Sequence, residues 1–566
     1  MKRLGLWLAV LVHVVLAGTY AHVTPVFEAP DENGHLGYVW QLIQHGEPPV
    51  VKGSGELAGV PAWRQGDLGH HPALYYRILA LGLRIQGLAD LTPTPRSVEL
   101  AQRVSGRHFE HGWDEVGARS REVRGFHRLR LFSVLCGAVS LVLIRRLVAR
   151  ALPRAPGAVD LSVLLLALLP GWSIAHSVLD NGALAVTMIL GCLTLLVRAV
   201  DSNRLTPLSG LAAGALGGLA LATKLTAVGV VPLFGLALAW IWWRAPQRRR
   251  ETTVAGALGL ALLVALWLPW ILRNLELYGE PLATAVHERA FASNMVPDEA
   301  RLTQLTYALP VLVFRSAVGV VGWNAASQPA WIEWLFGGTA LLALAGLALG
   351  RGRIGLKSGP TLLLGASGLV AMALLLRFNL VFHQPQARYA LAGSAGFALF
   401  AAAGFAALGQ RVPSLARPLA LALVAAWSAA ALGGLARAKA LFQIDPTGTD
   451  PAQAILVADL FTPSSAEPAG ELARIGGDDP PVLTWPASFG RASIHLWCVD
   501  GPRVGGSFEH LGLAFENGRA TLPAAVWASL PAGAQVKIKV RQLADRRTGQ
   551  DVADRAESSV LVVRRP

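Results

Sequence analysis

The chain has 566 residues, of which 53% are hydrophobic and only 15% charged, and its mean hydropathy is +0.45. That is too little polar surface to solubilise a globule of this length, so a soluble fold is excluded and apolar surface must face lipid. A formal net charge of +14 would suggest nucleic acid in a soluble chain, but here the basic residues sit in short loops between apolar runs, where they report membrane orientation and give no nucleic-acid surface.

The apolar residues arrive in nearly charge-free blocks of about 16 to 20 residues, the length that carries a helix across a hydrocarbon core. In chain order they predict helices near 4–20, 130–148, 160–176, 183–198, 208–223, 226–243, 253–272, 333–350, 359–376, 389–408 and 418–436. The fold class is therefore an all-α polytopic membrane protein of about eleven transmembrane helices. Met1-Lys2-Arg3 followed by Leu4 to Ala17 suits a cleaved signal peptide as well as a retained first span. Retention is expected, because the loop that follows carries the densest chemistry and would then be tethered to the bundle. With Lys2-Arg3 inside, the basic clusters all fall in the cytoplasm: Arg145, Arg146, Arg150 and Arg154; Arg198 and Arg204; Arg244 and Arg248 to Arg250; Arg351, Arg353 and Lys357; Arg411 and Arg417. The N-terminus is then cytoplasmic and the C-terminus outside. Thr206-Pro207 reads as an N-cap with proline at the first helical position, and Pro232 and Pro269 are expected to bend their spans.

Residues 21–129, 273–332 and 437–566 are left outside. The tail has domain size, a turn signal at Asn517-Gly518 and alternation over Ile494 to Cys498 and Val536 to Val540. It predicts a small β-rich extracytoplasmic domain beside a transmembrane module of residues 1–436. Cys136 and Cys192 fall inside spans and Cys498 lies alone, so no disulfide framework is implied. There is no internal repeat to support an inverted-repeat transporter. Long external loops are where binding and catalysis are built.

Directly after the first span, Glu28, Asp31, Glu32 and His35 crowd together. Pro30 biases Ala29 away from helix, Asp31 or the turn before it would cap a following helix, and Glu32 and His35, three apart, would share one face. Acidic residues at a helix start also do no more than offset the macrodipole. The same loop later reads His70-His71-Pro72-Ala73-Leu74-Tyr75-Tyr76, and two such clusters in one loop look like a site. Lys224 occupies the turn of an apolar hairpin, where a cation is costly or must snorkel. Arg273 with Asn274, and Arg388 with Tyr389, lie at span ends, where a cation also serves as an interfacial anchor. His13 inside the first span is read as a packed helix histidine.

Several segments together resemble the GT-C type membrane glycosyltransferases, which use a polyprenyl-phosphate-linked sugar as donor. They are Pro30-Asp31-Glu32-x-x-His35, His71-Pro72-x-Leu74-Tyr75-Tyr76, Val178-Leu179-Asp180-Asn181, Trp267-x-Pro269-Trp270-x-x-Arg273-Asn274 with Tyr278-Gly279-Glu280-Pro281, and Gln386-Ala387-Arg388-Tyr389. The resemblance spans residues 1 to 410 and leaves out the tail. It departs from the family pattern at Ala73, where proline is usual, and at Asp180-Asn181, where the order is usually Asn-Asp. It implies a GT-C-like fold and an inverting transfer, on the outer face, to a hydroxyl of a cell-envelope glycan, lipid or protein. Asp31 is the first choice for the base that deprotonates the acceptor, with Glu28 and Glu32 as alternatives. Lys224, Arg388, Arg273 and His71 are the candidates for the donor phosphate; His35, His70, Tyr75, Tyr76, Asp180 and Asn181 are those for substrate contacts. A divalent metal, Mg or Mn, would fall to Asp31, Glu32 and His35, since carboxylate and imidazole suit several divalent ions, although no metal-specific spacing is present. The rival readings are a transporter or flippase of an isoprenoid-linked lipid, which needs polar residues along the spans, and a non-catalytic scaffold presenting the tail. Heavy use of alanine, leucine, glycine and arginine over lysine points to a bacterial plasma membrane.

Overall fold

The computed structural model describes residues 4–51, 64–66, 68–89, 121–291, 295–296, 301–322, 326–350 and 354–442, together with strand segments between 473 and 564. By its contacts the chain divides into two units, Met1–Leu91 with Gly117–Gln443, and Thr92–Val116 with Ile444–Pro566.

In the first unit the helices are α1 (Leu4–Val23), α2 (Glu32–His45), α3 (Leu74–Ile85), α4 (Arg121–Ala151), α5 (Pro156–Leu168), α6 (Pro170–Ala175), α7 (Asn181–Ser202), α8 (Pro207–Leu221), α9 (Val230–Arg244), α10 (Arg249–Tyr278), α11 (Thr284–Ala290), α12 (Leu309–Val318), α13 (Ala330–Leu349), α14 (Ser358–Asn379), α15 (Ser394–Arg411) and α16 (Pro413–Leu441). Among the described residues nine helical stretches are long and apolar enough to cross a membrane, and α5 and α8 are shorter apolar helices. Helix is thus present at each expected run, although 160–176 is divided between α5 and α6 and only nine of the described helical stretches have membrane-spanning length. Two short ladders, Val50–Val51 with Gln65–Gly66 in parallel and Val320–Val321 with Ala326–Ser327 antiparallel, brace the loops.

Differences from the sequence expectation lie at the helix ends. The run 160–176 is not one helix: Leu169 is extended (φ −67, ψ 118) and separates α5 from α6, because Pro170 disfavours helical geometry in the residue before it and can only start a new helix. α4 begins at Arg121, nine residues before the apolar run at 130, since a hydropathy window ends where lipid ends while backbone hydrogen bonding continues. Pro232 falls in the first turn of α9, where its missing N–H is not required. α10 continues through Pro269. Thr206 caps α8, its hydroxyl accepting from Ser209 N at 3.2 Å.

The core of the bundle is built by Leu141, Ile144, Leu190, Leu193, Leu221 and Phe234 among others. α8 and α10 approach through glycine. A Cβ placed on Gly214 would stand 1.9 Å from Gly259 O, and one on Gly210 would stand 2.2 Å from Ala255 O. Small residues of this kind let helix backbones meet where lipid supplies no hydrophobic drive. α1 belongs to this bundle, with Ala9, Leu16, Ala17, Tyr20 and Ala21 buried.

In the second unit the described segments are strands β1 (Ala473–Ile475), β2 (Val482–Thr484), β3 (Ala492–Cys498), β4 (Phe508–Glu509), β5 (Arg519–Thr521), β6 (Gln535–Gln542) and β7 (Leu561–Arg564), in the orders β7-β6-β3-β4 and β1-β2-β5. The two alternating segments noted in the sequence lie in β3 and β6, which pair antiparallel with Val536 opposite Cys498. Most of the expectation for residues 437–566, including Asn517-Gly518, lies outside the described residues, and α16 carries helix on to Leu441.

Candidate active site

The chain leaves α1 through a tight turn in which Phe27 (φ 69) and Asp31 (φ 68) adopt left-handed backbone, a conformation that aspartate tolerates better than most residues. Asp31 sits at the N-cap of α2 without making a side-chain cap bond. Its carboxylate turns instead to Arg388, whose Nη2 donates to Oδ2 at 2.6 Å, and the side chain stays 37% exposed. Arg388 opens the 3-10 turn Ala387–Gly393 that leads into α15, and its Nη1 donates to Asp180 Oδ2 at 2.9 Å. Asp180 caps α7: its Oδ1 accepts from Gly182 N and, at 3.1 Å, from Lys224 Nζ. Charges therefore alternate along Asp31, Arg388, Asp180 and Lys224. The ring of Tyr389 lies beneath both cations, 5.4 Å from Lys224 Nζ and 5.3 Å from the Arg388 guanidinium carbon. Burial would raise the Asp180 carboxyl, but Lys224, Arg388, His35 and the Gly182 N–H outweigh it and hold the group well below the usual carboxylate range.

These residues come from the start of α2 in the loop after α1, the start of α7, the turn after α8 and the entry to α15, ends that the alternation of spans puts on one face. The opposite ends carry the basic loops, where Arg150 and Lys357 both pair with Asp201.

Glu32 is placed elsewhere. It is wholly buried with Arg130, which donates to it through Nε at 2.9 Å and Nη2 at 2.6 Å. The same guanidinium donates to the carbonyls of Ala21 at 2.9 Å, Pro25 at 2.8 Å and Thr24, closing the frayed end of α1. Leu179 N donates to Glu32 Oε1 at 2.9 Å. Glu32 thereby ties α1, α4 and the turn before Asp180 together, one residue from Asp31, and positions the site without facing open space.

Around this cluster stands an aromatic and imidazole wall. His35 Nδ1 lies 3.0 Å from Tyr76 OH, Tyr76 stacks on Tyr38 with centroids 3.7 Å apart, and Tyr75 packs edge-on to His35 at 6.2 Å. Asn181 Nδ2 donates to Thr223 O at 3.3 Å and approaches Tyr76 OH at 3.5 Å. The ring of His71 stacks 6.3 Å from His35, and His70 lies 4.1 Å from His71 and 4.3 Å from His287. Burial pushes His35 down to about 4 and His71 well below its ordinary value, so both rings are neutral near pH 7. Burial also raises Tyr76 well above the usual phenol range and keeps it a hydrogen-bond donor.

A cavity of about 460 Å³ is lined by Glu28 and Arg388 and, over most of its wall, by apolar side chains that include Leu165, Leu169, Phe336, Phe397, Phe405 and Trp427. Its size is that of a pocket for an organic ligand. Arg388 Nε is a buried donor with no hydrogen-bond partner among the described residues, on a side chain that lines this cavity.

The structure thus gathers Asp31, Asp180, Lys224 and Arg388, with His35, Tyr76 and Asn181 beside them and His70, His71 and Tyr75 in the wall. It does not bring in Arg273, whose guanidinium donates to Pro49 O at 2.7 Å and lies over Trp270 at 4.4 Å. The candidate metal set is divided, Asp31 going to Arg388, Glu32 to Arg130 and His35 to Tyr76. Among the described residues no group of three or more His, Cys, Asp or Glu is arranged to hold a metal ion, so these donors do not fit one as placed. Sequence reasoning missed Arg130 and His287. Arg130 carried a signal, a charge at the very start of an apolar run; His287 carried none.

Fold and site together define a polytopic helical membrane protein with a charged cluster at the ends of its spans, above an apolar cavity. Over residues 123–270 the sequence matches the family described as dolichyl-phosphate-mannose-protein mannosyltransferase. None of the curated proteins matches. Among solved structures the chain is similar to ArnT from Cupriavidus metallidurans bound to undecaprenyl phosphate, at 15% identity and TM-score 0.45, over 77% of each chain. It is also similar to the oligosaccharyltransferase AglB from Archaeoglobus fulgidus in complex with an inhibitory peptide and a dolichol-phosphate, at 13% identity and TM-score 0.45, over 77% of this chain and 56% of that one. A third similarity is to the arabinosyltransferase EmbB from Mycobacterium smegmatis, at 16% identity and TM-score 0.39, over 71% of this chain and 30% of that one.

Proposed function

We propose that the protein is a membrane glycosyltransferase that moves a sugar from a polyprenyl-phosphate donor to a hydroxyl of a cell-envelope glycan, lipid or protein. The observation that carries this reading is Arg388, which lines the apolar cavity, has an Nε without a partner among the described residues and has the partly exposed carboxylate of Asp31 at its side. A lipid phosphate needs a greasy channel for its chain and a cation where the chain ends, and the cavity and Arg388 supply both. Lys224, over the same tyrosine ring, adds a second cation for the leaving phosphate. Asp31 is the general base. It takes the proton of the acceptor hydroxyl as that oxygen attacks the anomeric carbon and the bond from that carbon to the phosphate oxygen breaks, inverting the centre. Glu28, a buried residue of the cavity lining, is the alternative base, and Glu32 acts through position. His35, Tyr76 and Asn181, which stand beside Asp31 and Asp180, and His70 and His71 next to them are the residues assigned to sugar and acceptor contacts in this reading. The match of residues 123–270 to a mannosyltransferase family supports the same class. In this reading the protein lies in a bacterial plasma membrane with its N-terminus in the cytoplasm, and residues beyond the bundle form a β-rich extracytoplasmic domain.

The test is turnover of a panel of polyprenyl-phosphate sugars by membranes carrying the protein or Asp31→Asn at matched expression. Loss of about 10²- to 10⁴-fold in the variant, the worth of a positioned acid–base group, is expected. If neither protein exceeds empty membranes on a broad panel, the transporter or scaffold reading takes its place.

A further inference from the structure

Asp31 and the donor phosphate compete for one guanidinium. As placed, the cluster is charge-neutral: Arg388 and Lys224 are balanced by Asp31 and Asp180. Asp180 is 7% exposed and held by both cations and the Gly182 N–H, whereas Asp31 is 37% exposed and, in the bonds described, is held by Arg388 Nη2 alone. The groups facing Asp31 are Arg388 and Tyr389 from the entry to α15, Asp180 from α7, His35 from its own helix and Tyr76 from α3. Of Arg388's donors, Nη1 gives an N–H to Asp180, Nε has no partner among the described residues, and Nη2 gives an N–H to the most exposed carboxylate of the set and lies 3.5 Å from Tyr389 OH.

We infer that Asp31 and Arg388 form a charge hand-over pair: Asp31 stands in for the phosphate on Arg388 Nη2 and releases that donor to the leaving phosphate as it takes the acceptor's proton. This rests on the glycosyltransferase reading above. The balance closes. The sugar donor is a phosphodiester with one negative charge, drawn to the Arg388 guanidinium. The acceptor oxygen forms its bond to the anomeric carbon, its proton goes to Asp31, and the electron pair of the breaking bond stays on the phosphate, which becomes a monoester with a second negative charge. Asp31 loses one negative charge as the phosphate gains one, so the total in the pocket does not change while Nη2 transfers from one anion to the other. With the donor bound the net charge of the cluster is one negative unit before the step and after it, so the transfer adds no further unbalanced charge, the condition that is most costly in a buried pocket.

One consequence runs against the usual expectation for a lost catalytic residue. Asp31→Asn, neutral as the protonated carboxyl is, should bind the product more tightly than the wild type. The full-length protein in nanodiscs is titrated with undecaprenyl phosphate, for the wild type, Asp31→Asn, Arg388→Gln and the double variant, with Asp31→Ala as a second neutral form should the amide perturb folding. The expected result is a gain of about 10- to 100-fold for either neutral Asp31 variant, the worth of one charge-assisted hydrogen bond, and no gain when Arg388→Gln is already present. Equal or weaker binding by both neutral variants overturns the hand-over, as does a gain that persists undiminished without Arg388, since that is through-space repulsion alone. Absence of binding by all the proteins, wild type included, overturns the lipid-phosphate reading itself.

Discussion

Replacing Arg130 by methionine removes a guanidinium that is fully buried and bonded at every side. It leaves the equally buried Glu32 carboxylate with only the Leu179 N–H that the structure gives it, and strands the carbonyl of Thr24, while Ala21 O keeps His127 Nδ1 at 2.7 Å and Pro25 O keeps the Glu28 N–H. Breaking a buried pair by deleting one partner costs about 3–5 kcal/mol, and the carbonyl left without a donor adds about 1–3 kcal/mol where water cannot reach it. Set against a typical folding stability of about 5–15 kcal/mol, Arg130→Met alone should bring the protein close to unfolding. Glu32→Leu/Arg130→Met removes the uncompensated carboxylate and should recover the first of these costs but not the second, so it should be more stable than the single variant and less stable than the wild type. Its turnover should stay low, because the turn that presents Asp31 has lost its anchor. The assay is unfolding of purified protein in mixed micelles of denaturing and mild detergent, read by tryptophan fluorescence, with turnover measured in parallel. Arg130→Met within about 1 kcal/mol of wild type would refute the reasoning, since surface ion pairs are worth that little and Arg130 would then have to be accessible to water.

Gly214→Leu drives a side chain into the Gly259 backbone and should abolish accumulation of folded protein. Gly157→Leu, at a glycine with nothing within 4 Å of an added Cβ, should leave it intact, as judged by monodisperse elution in detergent. His35, ordinarily near 6.5, is held at about 4 by burial, so between those values the unfolded chain binds a proton that the folded one does not. Stability therefore rises with pH across that window and is lost on acidification from 6.5 towards 4; His35→Asn should make the decline shallower over the same window, and an unchanged slope in unfolding midpoint against pH would rule the assignment out.

The spans, their order and the likeness of one face to a site were legible in the sequence because they depend on local quantities. An apolar run long enough to cross a bilayer is favourable wherever it occurs, and a proline after a threonine starts a helix regardless of what packs on it. Even there, the break at Leu169 and the early start of α4 needed backbone geometry that hydropathy does not carry. The first external loop was rightly singled out for its density of charge, but its carboxylates could not be told apart. Glu32 and Asp31 are neighbours of the same chemistry, and only the bundle sends one to Arg130, 98 residues away, and the other to Arg388, 357 residues away. Arg273 and Arg388 likewise looked equivalent as cations at span ends, until one turned onto the Pro49 carbonyl and the other into the cavity. Composition by itself determined that this chain lives in a membrane and which helix ends share a side, since transfer from water to lipid is paid residue by residue. Which charges meet was decided only by tertiary structure, because a buried ion pair is stable only where packing brings both partners and all their remaining donors and acceptors to one place.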